Sequence, residues 1–168
     1  MYSFVCSPAY VLIVGRLEPL KAPDIFVLDI PLVLRELRTK FLIVRSGSMK
    51  DCFRRLADKL VVSTHVDFRE NLSYDDLART VSRASAVVTP GNAVYTLLGA
   101  GAACKPFATV RSSWNEGALG DAALYVEPND VSGIADGIVK ILMDIGFAGN
   151  LGQRACDFVE RNRDSRVI

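Results

Sequence analysis

The sequence predicts an α/β fold: a doubly wound, Rossmann-like parallel sheet of about six strands with helices on both faces. Two observations lead there. Short, nearly continuous apolar runs recur along the chain, as strands covered on both faces require. Helical patterns alternate with them through short connections, the rhythm of repeated βαβ units. A third observation, the length of 168 residues, fits one domain able to bury roughly 70% of its unfolded surface.

Taken in order, the predicted strands are Tyr10–Val14, Phe41–Val44, Leu60–Ser63, Ala86–Thr89, Pro106–Val110 and Ala123–Val126. The predicted helices are Met49–Lys59, Tyr74–Ala84, Ala93–Ala103, Val131–Ile145 and Asn150–Glu160. Asp130 reads as an N-cap and Gly146 as a stop signal. The first helix belongs between Pro23 and Arg38, where Pro23 suits the first helical position. Pro31 inside that span removes a backbone donor, so a helix kinked there is expected. Ile25–Leu28 offers the alternative of a short strand. Residues 1–9 read as a linker-like lead-in, and 10–168 as one Rossmann-like domain.

Composition excludes several classes. Half of the residues are hydrophobic, and 20 basic residues against 19 acidic leave a formal charge of +1. Nothing global points to nucleic acid or a membrane surface. The stretch before Gly15 lacks a basic leader and is interrupted by Pro8, so neither a signal peptide nor a membrane span is expected. Cys6, Cys52, Cys104 and Cys156 form no C-x-x-C pair, and His65 is the single histidine. That pattern argues against zinc and for free thiols in a reducing cytoplasm. His65 reads as a polar tip at a strand end.

The run Val14-Gly15-Arg16-Leu17-Glu18-Pro19-Leu20-Lys21 carries the chemistry. It places Arg16 and Lys21 where the first strand gives way to a loop, at the sheet edge where α/β folds bind ligands. A guanidinium fork and a compact ammonium both suit phosphate oxygens. Alone, the two residues would pass as ordinary surface charges.

In context, Gly15-Arg16-Leu17-Glu18-Pro19-Leu20-Lys21 resembles the G-R-L-x-x-x-K element of retaining group-1 (family 4) glycosyltransferases. Three further stretches resemble that family in its own order. They are Asp75–Ala78 with Ser82–Pro90, Leu98-Gly99-Ala100-Gly101-Ala102-Ala103-Cys104-Lys105-Pro106 against L-E-A-M-A-x-G-x-P, and Gly120–Asp130 against G-D-A-A-L-L-V-x-P-x-D. The resemblance covers Tyr10 to about Glu160. It implies one half of a GT-B architecture, the C-terminal domain that holds a nucleotide diphosphate sugar. It further implies hexosyl transfer without a metal or other cofactor. The acceptor domain would then come from a separate protein or from a longer chain.

The family's E-x7-E motif has no counterpart. No Asp or Glu occurs between Asp76 and Glu116. Matching the second glutamate to Gly99 puts the first at Gly91, whereas counting forward from Pro90 makes the loop about three residues short. Both carboxylates are missing in either register. The second family glutamate holds the ribose hydroxyls by charge-assisted bonds worth roughly 1.5–3 kcal/mol each. The first organises the reacting sugar, where stabilisation must be specific to the transition state. The resemblance therefore implies donor binding without turnover by the isolated chain. Arg16 and Lys21 would meet the diphosphate, with backbone amides of Gly91 and Asn92 at a helix N-terminus as a second anion contact. Arg45 stands where the family has a glycine, and either adds a phosphate contact or fills donor space. Gly99 and Gly101 read as close-packing glycines, and Glu116 as a surface carboxylate. The alternative is a non-catalytic pseudo-glycosyltransferase acting through protein contacts, including self-association through its open cleft face. A flavodoxin-like or receiver domain stands third, for want of an early acidic cluster.

Overall fold

The computed structural model describes residues 10–15, 23–44, 50–89, 94–128, 130 and 132–163. Among them, β1 (Tyr10–Val14), β2 (Lys40–Val44), β3 (Val66–Arg69), β4 (Ala84–Thr89), β5 (Phe107–Val110) and β6 (Leu124–Val126) form one sheet. The order is β3-β2-β1-β4-β5-β6 and every pairing is parallel. The helices are α1 (Pro23–Glu36), α2 (Lys50–Lys59), α3 (Tyr74–Arg83), α4 (Val94–Ala102), α5 (Ser113–Leu119), α6 (Gly133–Met143) and α7 (Ile145–Arg163).

Side chains alternate across the strands and divide the core in two. Val11, Ile13, Phe41, Ile43 and Val88 meet α1, α2 and α6 on one face. Leu12, Leu42, Val87 and Phe107 meet α3, α4 and α5 on the other. Helix α7 touches both: Leu151 belongs to the first cluster and Ala155 to the second.

The first helix forms despite Pro31. Phe26, Val27, Ile30 and Val33 are all buried, a stripe at helical spacing. Tertiary burial of that stripe outweighs one lost backbone bond, and the short-strand alternative at Ile25–Leu28 is ruled out.

The third strand is the main correction. Leu60–Ser63 is not a strand; it follows the end of α2 and runs into a 3₁₀ turn over Ser63–His65, and β3 begins at Val66. Val61 adopts a left-handed φ of 58°, with its amide on Asp58 O and the Val62 amide on Ala57 O. These bonds are a Schellman cap, completed by burial of Val62. The apolar run was read as strand because a capping turn and a buried strand demand the same residues. His65 accordingly lies in the turn before β3, its ring Nδ1 3.1 Å from Thr64 Oγ1.

Smaller corrections follow the same logic. Helix α5 was not expected, because seven residues carry too little periodicity. Helix α6 starts after Ser132, and Asp130 instead accepts from the Ser132 amide at 3.2 Å. The break after α6 falls at Asp144 rather than Gly146, which lies in the first turn of α7. Cys104 and Cys156, expected as free thiols, are joined as a disulfide across 52 residues; α7 folding back onto the end of α4 supplies the proximity. Cys52 is free and exposed.

Candidate functional site

The carboxyl edge between β1 and β4 is the point where the chain's winding reverses. Helix α1 leaves β1 toward one face and α4 follows β4 on the other, the arrangement that opens a crevice in doubly wound sheets. The segments carrying the sequence-predicted residues leave the sheet here. Val14 pairs with Val44, and Ile13 with Val88, so β2, β1 and β4 end side by side. Arg16, Lys21, Arg45, Gly91 and Asn92 themselves lie outside the described residues.

A groove of about 700 Å³ opens between α3 and α4 beside the end of β1. Val14, Leu77, Val81, Leu98, Ala102 and Ala103 line it, and Tyr74 and Tyr95 stand on it from the first turns of the two helices. Both tyrosines are exposed, at 93% and 84%. Among the described residues, no charged side chain lines the groove. Gly99 lies on its wall, and a Cβ there would meet nothing within 4 Å. The two glycines expected to serve close packing therefore part company. Gly101 does so, since a Cβ would sit 2.5 Å from Ala155 O; Gly99 faces open space.

A buried polar chain fixes the neighbouring strand ends. Asn115 Nδ2 donates to Thr109 Oγ1 (3.3 Å) and to Val110 O (3.0 Å), and Thr109 Oγ1 donates to Thr89 O (3.1 Å). Ser112 caps α5, accepting from the Asn115 amide at 3.0 Å. Buried polar groups satisfied this way set the geometry of the edge.

Beside it, Arg111 follows β5 as Arg16 follows β1, yet it is committed elsewhere. Its Nε donates to Glu127 at 2.6 Å, its Nη1 pairs with Glu116, and the guanidinium lies 5.1 Å from the Tyr125 ring centre. Burial first, then the Glu116 carboxylate, raises the Tyr125 phenol above its usual value. Tyr125 stays protonated and donates to Gly120 O at 2.7 Å. Glu116 thus balances a neighbouring arginine. The sequence reading missed the Arg111 network and the groove; the arginine directly after an apolar strand was the available signal. Among the described residues no group of three or more His, Cys, Asp or Glu is placed to hold a metal ion. None of the described helices is long and apolar enough to cross a membrane.

Comparison with known proteins agrees with this geometry. The family model "Glycosyl transferases group 1" matches residues 8–144. No curated protein sequence matches. Among solved structures, TarM of S. aureus, a mutant in complex with fondaparinux, alpha-GlcNAc-glycerol and UDP, superposes with a TM-score of 0.79 at 16% identity, covering 92% of this chain and 32% of TarM. HepE of Anabaena, in complex with UDP and glucose, gives 0.75 at 15% identity, covering 93% and 45%. The catalytic domain of cholesterol-alpha-glucosyltransferase from Helicobacter pylori gives 0.73 at 17% identity, covering 92% and 99%. At these identities the likeness establishes the fold. The chain spans less than half of TarM and of HepE.

Proposed function

Because the chain belongs to the group-1 glycosyl transferases, we propose that it is the donor-binding half of such an enzyme and binds a nucleotide diphosphate sugar at the β1/β4 edge. The observation that carries this is the groove between α3 and α4, whose described lining is uncharged, placed beside the winding reversal and large enough for a nucleoside. The nucleoside lies in that groove. Arg16 and Lys21, on the segment that follows β1, neutralise the diphosphate, and amides of Gly91 and Asn92 add neutral donors. UDP in the TarM and HepE complexes makes the uridine nucleotides the first candidates.

Transfer of the hexosyl group needs more. Breaking the bond to the diphosphate develops positive charge on the sugar, which a placed carboxylate would stabilise. Among the described residues no acid lines the groove, and no Asp or Glu occurs in the sequence between Asp76 and Glu116. On this reading the acceptor side belongs to a second domain outside this chain. The chain alone then holds the donor without turning it over.

A second reading, a non-catalytic module working through protein contacts, draws on the exposed Tyr74, Tyr95 and Trp114. These begin three successive helices on one face of the sheet, and tyrosine and tryptophan are the usual anchors of protein interfaces.

Calorimetric titration with UDP, GDP, ADP and their glucose or mannose conjugates decides between them. Saturable binding of one nucleotide, lost in Arg16→Ala/Lys21→Ala, supports the donor site. A folded chain that ignores millimolar nucleotide overturns it in favour of the second reading.

A further inference from the structure

The C-terminal end of α4 carries a residue in an unfavourable place. Cys104 has a φ of +50°, and its amide and that of Lys105 bond back to Gly101 O and Ala100 O at 2.9 Å each. This is a Schellman cap whose left-handed position glycine normally fills. In the A-x-G-x-P stretch that Ala102–Pro106 resembles, this position is the glycine. A side chain here costs conformational energy, so the thiol needs a reason to be present.

That reason lies across the helix contact. Cys156 on α7 is bonded to Cys104, with the two Cα atoms 5.0 Å apart. The contact does not depend on the bond: Gly101 and Gly152 already let α4 and α7 interlock, Gly152 against the Cys104 carbonyl. Cys104 is exposed and Cys156 half-buried, so an external thiolate has access to the sulfurs. The opened state is also provided for. Cys156 Sγ lies 3.2 Å from Gly101 O, where the thiol formed by reduction has an acceptor.

We propose that Cys104 and Cys156 form a reversible dithiol–disulfide site, exchanging with small thiols of the glutathione class and locking the end of α4 onto α7. A glutathione thiolate attacks the exposed Cys104 sulfur, breaking the S–S bond and releasing Cys156 as a thiolate that takes up a proton. A second glutathione attacks the mixed disulfide, releasing the Cys104 thiol and glutathione disulfide. Two electrons and two protons pass to the protein in all, and glutathione disulfide reverses both steps. Ala102 and Ala103, the groove-lining residues nearest Cys104, gain and lose their covalent anchor with the bond.

The test uses the full chain in a Cys6→Ser/Cys52→Ser background, equilibrated in glutathione buffers from reducing to oxidising and then alkylated for intact-mass analysis. We expect complete, reversible interconversion of the two-thiol and bridged forms while the protein stays folded. Hydrogen exchange in α4 should slow several-fold in the bridged form. Cys104→Gly, which restores the ordinary cap residue and cannot bridge, should fold and show α4 exchange that does not change with the buffer. Thiols that never bridge, a bridge that glutathione cannot open without unfolding, or α4 exchange indifferent to the bond would each overturn the proposal.

Discussion

The backbone amide of Ala135, in the first turn of α6, donates to the buried carboxylate of Asp29 on α1. One helix thus satisfies an orphan donor at the start of another. The other oxygen, Oδ2, has no hydrogen-bond partner among the described residues. Burial pushes the Asp29 acid up to about 6, the Ala135 bond opposes this, and Asp130 and Asp136 add to the rise.

The folded chain therefore holds the Asp29 proton more tightly than the unfolded one. Through the window from about 4 to 6, this group's contribution to stability falls as pH rises, and above 6 its full cost is present. Asp29→Asn keeps an acceptor for Ala135 and removes the charge. It should be close to neutral at pH 4 and stabilise by on the order of 2 kcal/mol at pH 7.5. Urea denaturation of both proteins at the two pH values checks this; a variant no more stable at pH 7.5 would show the charge to be well compensated.

Glycines two residues apart differ in what α4 asks of them. Gly101→Ala drives a methyl into Ala155 O and Val159 and should destabilise by about 1–3 kcal/mol. Gly99→Ala, with open space around it and a better helix former in place, should stabilise by about 0.5–1 kcal/mol. Thermal melts of the pair should move in opposite directions.

Val61 is a β-branched residue at φ 58° with 85% of its surface exposed. Its side chain gains little from packing there while its backbone is strained. Val61→Gly should raise stability by about 1 kcal/mol, measurable as a higher urea midpoint at unchanged slope. A lower midpoint would mean that the valine restricts the unfolded chain more than it strains the cap.

The open space at Gly99 also makes the missing ribose contact restorable. Gly99→Glu places a carboxylate on the groove wall without meeting any neighbour at its Cβ. If the nucleoside lies there, UDP affinity should rise by about tenfold, since a charge-assisted bond is worth roughly 1.5–3 kcal/mol. Calorimetry with UDP and 2′,3′-dideoxy-UDP separates a ribose contact, which only UDP can report, from a general effect of the substitution.

Much of the fold was legible because parallel strands covered on both faces are written as apolar runs. Five of the six strands begin within two residues of their predicted places. Leu60–Ser63 misled because local composition does not reveal a left-handed Val61; the bonds to Asp58 and Ala57 that fix it form only once α2 exists. The Cys104–Cys156 bond was hidden for a different reason, since a sequence separation of 52 lies between partners that only α7's path unites. The sheet edge that the sequence singles out is where β2, β1 and β4 end side by side, while Arg16, Lys21, Arg45, Gly91 and Asn92 lie outside the described residues. Gly99 illustrates the limit: a glycine serving close packing and one bordering a groove are the same letter, and only the neighbouring helix distinguishes them.

Helix α7 gives the two layers a shared fate. Leu151 is sealed into the core beneath α1, α2 and α6, and Ala155, one turn on, into the core beneath α3, α4 and α5. Loosening either side withdraws support from the other through a single rigid rod, so the molecule should melt in one cooperative transition despite a sheet dividing its interior. A nascent chain meets the same requirement in time: neither layer closes until α7 has emerged.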